Sequence, residues 1–219
     1  MRNLIIFGIG EQAEMAYYYF KNDTSYNIIG FTVDKAYKSK DTLFDLPIIE
    51  FENIENAYSV NEFEMFIAIG YNKINKLRTE KYLACKEKGY KIASYISSKA
   101  SIFTEKIGEN CFILEDNTIQ PFVSIGDNVT LWSGNHIGHH SIVENNCFVT
   151  SHVVISGGCN IGENTFIGVN ATLRDHIKIG RSNVIGAGAL ILGDTEDNKV
   201  YMANVTEVSR VPSNRLRGI

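Results

Sequence analysis

The chain has 219 residues, of which 44% are hydrophobic and 21% are charged, and its formal net charge is −4. This composition suits a globular protein with two modest domains. The negative charge argues against a protein that binds the phosphate backbone of nucleic acid. No apolar run approaches the ~20 residues of a membrane-spanning helix. The cysteines form no CxxC pair and the N-terminus has no signal-peptide pattern, so a reduced, cytoplasmic protein is expected.

Residues 1–97 alternate strand patterns with helix patterns. Apolar runs predict strands at NLIIFG, NIIGFTVD, LPIIEF, FEMFIAIG and KIASYIS, with helices through AEMAYYYFKN and in the segment that ends near Lys88. This alternation predicts an α/β domain with a small parallel sheet of Rossmann type.

Candidate nucleotide-binding residues follow these strands, because ligands of such sheets bind outside the carboxyl ends of the strands. The candidates are Gly10, Glu11, Gln12, Asp34 and Gly70. The Gly8–Gly10 pair would let backbone N–H groups approach a phosphate at a helix N-terminus. Ala13 replaces the third glycine of GxGxxG, and a turn that merely closes a strand–helix corner explains the glycines equally well. If a nucleotide binds, we expect a single nucleotide of a sugar donor.

The second half, residues 98–219, carries a repeat of six. An aliphatic residue occupies every sixth position from Ile107 to Ile191 without a miss. This period predicts an all-β domain, a parallel β-helix in which three hexads close one coil and residues 18 apart stack. Gly, Asn and Asp after the inward aliphatic residue suit tight corners. Cys111, Cys147 and Cys159 share one position of the hexad, where small buried side chains are expected.

All five histidines lie in this half of the chain: His136, His139, His140, His152 and His176. His139 and His140 take the corner positions after Ile137-Gly138 and should project outward. Gly157 and Asp175 stack above His139, and Gly158 and His176 stack above His140. Two glycines beside a histidine pair predict an open notch for a thin ligand. Histidine is the natural general base at neutral pH, although a solvated turn histidine is the ordinary alternative.

The segments FGIGEQAE, FIAIGYN and GNHIGHHSIVENNCFVTSHVVISGGCNIGENTFIGVNATLRDHIKIG together resemble the NeuD/PglD-type sugar acyltransferases of the hexapeptide-repeat superfamily. The resemblance implies a left-handed β-helix, a homotrimer, and acetyl-CoA in a groove between neighbouring prisms. It implies acetyl-CoA-dependent N-acetylation of a nucleotide-linked (UDP-, dTDP- or GDP-) 4-amino-6-deoxy sugar for bacterial surface glycans, without a metal.

The resemblance also assigns residues. His139 is the matching general base for direct attack of the amine on the thioester, and His140 stands where relatives carry an acidic residue. Glu144 or Asp175 is an alternative source of that carboxylate. Positions that match coenzyme contacts are Phe148, His152, Gly157, Val169 and Ala187. Those for the nucleotide sugar are Gly10, Glu11, Gln12, Asp34 and Gly70, and the tail YMANVTEVSRVPSNRLRG departs from the relatives.

Three alternatives remain open at the level of sequence. One is O-acetylation of a sugar of the sialic-acid type, although a Rossmann-like domain favours a nucleotide-bearing substrate. Another is a metal enzyme of the γ-carbonic-anhydrase sort, with His136, His140 and His152 as ligands from two chains. The last is a non-catalytic trimeric scaffold that displays a binding domain.

Overall fold

The N-terminal domain in the computed structural model, which describes residues 2–215, is built from six strands and two helices. They are β1 (Asn3–Phe7), α1 (Glu11–Asp23), β2 (Asn27–Val33), β3 (Thr42–Leu43), β4 (Leu46–Glu50), β5 (Phe63–Ile67), α2 (Lys76–Glu87) and β6 (Lys91–Ile92), with 3₁₀ helices at Lys35–Tyr37 and Phe51–Asn56. The sheet order is β3-β4-β2-β1-β5-β6, and only β3 with β4 is antiparallel. The predicted Rossmann-like sheet is confirmed.

The two helices cover opposite faces of this sheet because successive side chains of a strand point to opposite sides. Leu4 and Ile6 of β1 pack on the face of α1, which buries Phe20. Ile5 and Phe7 pack on the face of α2. A strand that is apolar on both faces therefore lies at the centre of the domain.

Residues 95–201 form a parallel β-helix of two-residue strands stacked in three sheets. Face 1 consists of Ser101–Ile102, Thr118–Ile119, His136–Ile137, Val154–Ile155, Thr172–Leu173 and Leu190–Ile191. Face 2 consists of Ser124–Ile125, Ile142–Val143, Asn160–Ile161 and Lys178–Ile179. Face 3 consists of Tyr95–Ile96, Phe112–Ile113, Thr130–Leu131, Phe148–Val149, Phe166–Ile167, Val184–Ile185 and Val200–Tyr201. His136 pairs with Thr118 below and Val154 above, so the predicted 18-residue coil is confirmed.

The chain turns at three corners. Corner A joins face 1 to face 2 (residues 138–141 and their stacked equivalents), corner B joins face 2 to face 3 (144–147), and corner C joins face 3 to face 1 (150–153). In 14 successive hexads the third residue after the inward aliphatic residue has φ between 52° and 79°. These residues are Asn110, Asp116, Phe122, Asn128, Gly134, His140, Asn146, His152, Gly158, Asn164, Asn170, His176, Ser182 and Gly188. Gly, Asn and Asp are the residues that adopt this left-handed conformation most readily, which explains the polar corners.

The interior of the prism is filled by the hexad aliphatics and by small side chains four residues after them. Cys111, Cys147 and Cys159 occupy this second position and are buried, as expected from the sequence. Burial raises the pKa of the Cys111 and Cys147 thiols to about 12. These cysteines therefore remain neutral thiols and act as packing residues.

The N-terminal domain lies on face 3 and shares a core with it. Phe112 and Leu114 are buried in the same cluster as Phe20. Arg78 of α2 is buried at corner B, where its guanidinium donates to Thr130 Oγ1 and to backbone oxygens of the coil. Burial lowers the pKa of this guanidinium to about 10.

A ladder of buried asparagines lines corner B. Asn110 Nδ2 donates to Asn128 Oδ1 at 2.7 Å, and Asn128 Nδ2 donates to Asn146 Oδ1 at 2.8 Å. Asn110 Oδ1 accepts the backbone N–H of Ile67, the last residue of β5, at 2.8 Å. Because buried amide networks are rigid when satisfied, the carboxyl end of β5 is held in a fixed position relative to the coil.

The structure defines the first and last strands of the coil. The predicted strand KIASYIS splits, because Lys91–Ile92 joins β5 whereas the Tyr95 N–H bonds to Cys111 O at 2.8 Å and starts face 3. At the other end, Val200–Tyr201 pairs with Val184–Ile185, and Tyr201 packs on the interior. The predicted tail extends into residues 216–219, which lie outside the described residues.

Candidate active site

A cleft of 690 Å³ opens at the carboxyl ends of β1, β2 and β5. We call it the N-terminal cleft. Its lining includes all five residues expected from the sequence to bind a nucleotide sugar: Gly10, Glu11, Gln12, Asp34 and Gly70. The structure thus brings these residues together, and their role in binding remains a prediction.

The glycines around the cleft differ in what a side chain at each position would meet. Gly8 has φ +125°, and a β-carbon there would lie 2.7 Å from Ala68 O, so folding itself requires glycine. Gly10 has an ordinary φ of −97°, and a β-carbon at Gly10 or Gly70 would meet no atom within 4 Å. The fold leaves open space beside both backbones, which is the condition for close approach of a ligand.

Side chains that the sequence did not single out complete the cleft. Lys81 of α2 forms an ion pair with Asp34, with 2.9 Å between Nζ and Oδ2. Burial disfavours the charged amine, but the hydrogen bond and attraction to Asp34 outweigh it, so the pKa of Lys81 is raised. Tyr37 and Tyr71 present exposed rings at the rim. No motif marks Lys81 or Tyr37, and Tyr71 lies in the segment FIAIGYN without an assigned role.

The histidine pair lies at corner A and projects outward, as the hexads predict. The backbone N–H of His139 donates to Gln120 Oε1 at 2.8 Å. His139 Nδ1 lies 3.1 Å from His140 Nδ1. The His140 ring in turn packs on Phe122, with 4.6 Å between ring centroids. The side chain that lies within hydrogen-bond distance of the His139 ring is therefore a second imidazole.

Neither carboxylate considered from the sequence bonds His139. Asp175 Oδ2 lies 2.9 Å from His176 Nδ1, and Glu144 Oε2 accepts the backbone N–H of Glu163 at 3.1 Å. The hydrogen bond from His176 lowers the pKa of Asp175. Asp175 is thus directed toward the histidine beside it on its own coil.

Glycines form the notch above the histidine pair. A β-carbon at Gly157 would lie 2.7 Å from Cε1 and from Nε2 of His139. Gly158 has φ +70°, and its N–H donates to His139 O at 2.8 Å. Within residues 2–215 the Gly157 N–H has no hydrogen-bond acceptor. The expected stacking of His139 with Gly157 is therefore present, and the Gly157 N–H is free to bind a ligand.

The residues expected to contact the coenzyme separate into two groups. His152, Val169 and Ala187 are exposed at corner C, whereas Gly157 lies at corner A across face 1. The structure does not support the expected contact of Phe148 with the coenzyme. Its ring is only 1% exposed and packs between Arg78 and the rings of Tyr71 and Phe166 under the N-terminal domain. Phe148 therefore acts as a packing residue of the domain interface.

The N-terminal cleft and His139 lie on opposite sides of a single chain. Tyr71 at the rim of the cleft packs on Phe148 and Phe166 of face 3. Corner A, which carries His139, joins the other two faces and lies across the triangular prism from face 3. The cleft and His139 therefore open on different sides of one chain.

The histidines proposed from the sequence as metal ligands are dispersed: His140 at corner A, His152 at corner C and His136 on the face between them. In the described part of the chain no three His, Cys, Asp or Glu side chains are grouped so as to hold a metal ion. Across residues 2–215, no helix has the length and apolar character that crossing a membrane requires.

Comparison with known proteins agrees with this architecture. The family model for the PglD N-terminal domain matches residues 3–82, and that for the bacterial transferase hexapeptide (six repeats) matches residues 106–138 and 158–193. The chain is similar to the bifunctional protein GlmU of Ruthia magnifica. The two sequences are 30% identical over an alignment of 145 residues, and this alignment covers 53% of this chain and 32% of GlmU. It spans about a third or less of the length of such curated relatives.

Solved structures match over nearly the whole chain. The acetyltransferase domain of PglB from Neisseria gonorrhoeae has a TM-score of 0.82 at 20% identity, covering 93% of this chain and 97% of that one. PerB from Caulobacter crescentus, in complex with CoA and GDP-perosamine, has a TM-score of 0.80 at 19% identity, covering 93% and 95%. WeeI from Acinetobacter baumannii has a TM-score of 0.77 at 16% identity, covering 91% and 96%.

Fold and repeat together define a left-handed β-helix of bacterial transferase hexapeptide repeats. The N-terminal half narrows the assignment, because the PglD-type domain precedes the repeats in the same order as in the structural neighbours. In both halves the chain is similar to the NeuD/PglD-like acyltransferases.

Proposed function

We propose that the protein transfers an acetyl group from acetyl-CoA to the amino group of a nucleotide-linked 4-amino-6-deoxy sugar. The observation that carries the proposal is the combination of the N-terminal cleft, open at Gly10 and Gly70, with an exposed His139 beside the Gly157 notch. The cleft has the volume of a typical small-ligand site. PerB, which shares this fold, was solved with CoA and GDP-perosamine. Such sugars serve bacterial surface-glycan assembly.

In this mechanism His139 is the general base. Its Nε2 accepts a proton from the sugar amine as the nitrogen attacks the thioester carbonyl carbon. The carbon–sulfur bond then breaks, the sulfur takes the proton back from Nε2 of the His139 imidazolium, and the coenzyme leaves as a thiol. In the proposal the Gly157 N–H, which has no acceptor within residues 2–215, donates to the carbonyl oxygen as negative charge develops there, a contribution of roughly 3 kcal/mol.

The coenzyme groove of the proposal is face 1. One edge is corner A, where Gly157 and Gly158 have no side chain to obstruct a thin ligand arm. The other edge is corner C, where His152, Val169 and Ala187 are exposed. Acetyl-CoA fits such a groove because its extended arm needs a long, shallow, partly apolar channel. We retain His152, Val169, Ala187 and Gly157 as its contacts.

We infer a homotrimer in which the site is shared between chains. Since the cleft and His139 face opposite ways in one chain, the sugar of a nucleotide held by one protomer would meet His139 of its neighbour. Exposed aliphatic side chains on the free faces, Val154, Leu190 and Ile142, suit burial between prisms. The free, buried cysteines suit a reducing compartment such as the cytoplasm.

The deciding experiment is acetyl transfer assayed by thiol release with a panel of UDP-, dTDP- and GDP-linked 4-amino-6-deoxy sugars. We expect release with one nucleotide family and an amide in the product by mass spectrometry. Release with sialic acid and an ester product would establish the O-acetyltransferase alternative. Absence of release with every acceptor, together with stoichiometric zinc in the purified protein, would instead favour the metal enzyme.

A further inference from the structure

The contact between His139 and His140 couples the positions of the protons on the two rings. Their Nδ1 atoms are 3.1 Å apart, within hydrogen-bond distance. A hydrogen bond between two neutral imidazole nitrogens needs one to carry the proton and the other to present its lone pair. The tautomers of the two rings are therefore coupled: when one ring is protonated at Nδ1, the other must carry its proton at Nε2.

Only one of the two arrangements leaves His139 able to act as a base. Nε2 of His139 faces the Gly157 notch, where the proposed chemistry takes place. For Nε2 to accept a proton, Nδ1 of His139 must hold the ring proton and donate it to Nδ1 of His140. In enzymes that use a carboxylate beside a catalytic histidine, the carboxylate sets the tautomer. Here the available acceptor is a neutral ring nitrogen.

Phe122 explains how the His140 ring is held. This residue stacks directly below His140 on corner A, with ring centroids 4.6 Å apart and a tilt of 35°. It has φ +66° and is 70% exposed, so a bulky apolar side chain occupies a left-handed position open to solvent. Such a residue in the left-handed region is a genuine outlier, and strained positions cluster at functional sites. Folding alone would favour Asn or Gly here, as at Asn128 or Gly158.

We propose that Phe122 and His140 are positioning residues acting in series: Phe122 holds the His140 ring, and His140 Nδ1 accepts the Nδ1 proton of His139, which keeps Nε2 free. The catalytic role of His139 in this inference rests on the proposed function. The tautomer of His139 is independent of the proposed function, because it can be measured without substrate.

The corner position allows a matched set of variants. His140→Asn puts Oδ1, an acceptor, where Nδ1 lies, while His140→Gly removes the acceptor. Phe122→Asn removes the supporting ring. Asn and Gly both occupy left-handed corner positions elsewhere in this chain, so none of these substitutions strains the backbone.

The test combines ¹⁵N NMR of histidine-labelled full-length protein with steady-state kinetics. Five histidines are present, and loss of one signal set in His139→Asn assigns that ring. We expect His139 to carry its proton at Nδ1 in wild type and in His140→Asn. In His140→Gly and Phe122→Asn the Nε2–H form should gain population, and kcat should fall about 10-fold or more with KM for acetyl-CoA unchanged.

Several results would overturn the inference. The inference would be contradicted if His139 carried its proton at Nε2 in wild type. It would also be contradicted if the tautomer of His139 were unchanged in His140→Gly. Loss of the trimer in Phe122→Asn, measured by light scattering, would assign the ring to a subunit contact. If wild type transfers no acetyl group, the proposed function fails, and the NMR result still decides the tautomer coupling.

Discussion

The imidazole of His139 lies against the backbone of Gly157 on the next coil, so closely that a β-carbon at residue 157 would sit 2.7 Å from Cε1 and Nε2 of the ring. Real β-carbons essentially never approach a neighbour at this distance. The ring can take its observed position only because residue 157 is glycine. The position of the proposed base, His139, therefore depends on the backbone of Gly157, one coil above it.

Gly157→Ala should therefore displace the His139 ring while leaving the coil folded. Displacement of a catalytic group by about 1 Å typically costs about 100-fold in rate, so kcat should fall by that order while the melting temperature stays close to wild type. Gly193→Ala is the matched control, because a β-carbon there meets nothing within 4 Å. Wild-type kcat in Gly157→Ala would show that the notch does not position the base.

The N-terminal cleft gives a second test through its glycines. Gly10→Leu puts a side chain into open space at an ordinary φ, so it should abolish binding of the nucleotide sugar, measured by calorimetry, with little change in stability. Gly8→Ala is the contrasting variant, since its positive φ and the contact with Ala68 O should lower the free energy of unfolding by about 2 kcal/mol. Undiminished binding by Gly10→Leu would move the nucleotide site elsewhere.

Sharing of the site between protomers predicts complementation. His139→Ala and Gly10→Leu should each be inactive, but refolding or exchanging them together should produce mixed trimers. Some interfaces then combine an intact His139 from one protomer with an intact cleft from its neighbour, about a quarter of them for random one-to-one mixing. Activity near that fraction of wild type is expected. Absence of any recovered activity in verified mixed trimers would place both parts of the site on one chain.

Asp23 gives a pH-dependent prediction for the junction of the two domains. Its carboxylate accepts hydrogen bonds from the Ser98 hydroxyl and from the Ser98 backbone N–H, the latter at 2.9 Å. It also accepts a hydrogen bond from Tyr95 Oη at 2.7 Å. These bonds lower the pKa of Asp23 from its ordinary value of 3.8. Because the pKa of Asp23 is lower in the folded protein than in the unfolded chain, the carboxylate stabilises the fold at pH values above the unfolded pKa. This stabilisation is lost as the pH falls through the folded pKa. Asp23→Asn should cost about 1–2 kcal/mol at pH 7.

The comparison of Asp23→Asn with wild type should then be made by urea denaturation across pH. The difference in unfolding free energy should be constant from neutral pH to about 5 and shrink below about 4. A difference that does not depend on pH would mean that the side chain acts by shape alone.

The stacking of His139 with Gly157 was predictable from the sequence because the hexad period converts spacing along the chain into position on the prism. Asp34 and Gly70 were predictable as cleft residues for a similar reason, since parallel strands end at one edge of a sheet. In each case a regular element carries the residue, and the geometry of that element is known in advance.

Contacts between side chains of separate elements were not predictable. Lys81 reaches Asp34 from α2, and Arg78 enters corner B, without any periodic pattern that relates them to their partners. The prediction for Phe148 was wrong for the same reason. The hexads show that Phe148 points outward, but not that the N-terminal domain covers face 3 and buries the ring.

The most direct test of the account is acetyl transfer by the His139→Asn variant. Wild type and variant should be assayed with acetyl-CoA and the nucleotide amino sugar that the panel identifies, by following thiol release and the mass of the amide product. A corner side chain carries little core packing, so the variant should fold and trimerise as wild type does. We expect kcat of the variant to fall about 100-fold or more, because the amine then has no general base. Turnover by His139→Asn at the wild-type rate would contradict it.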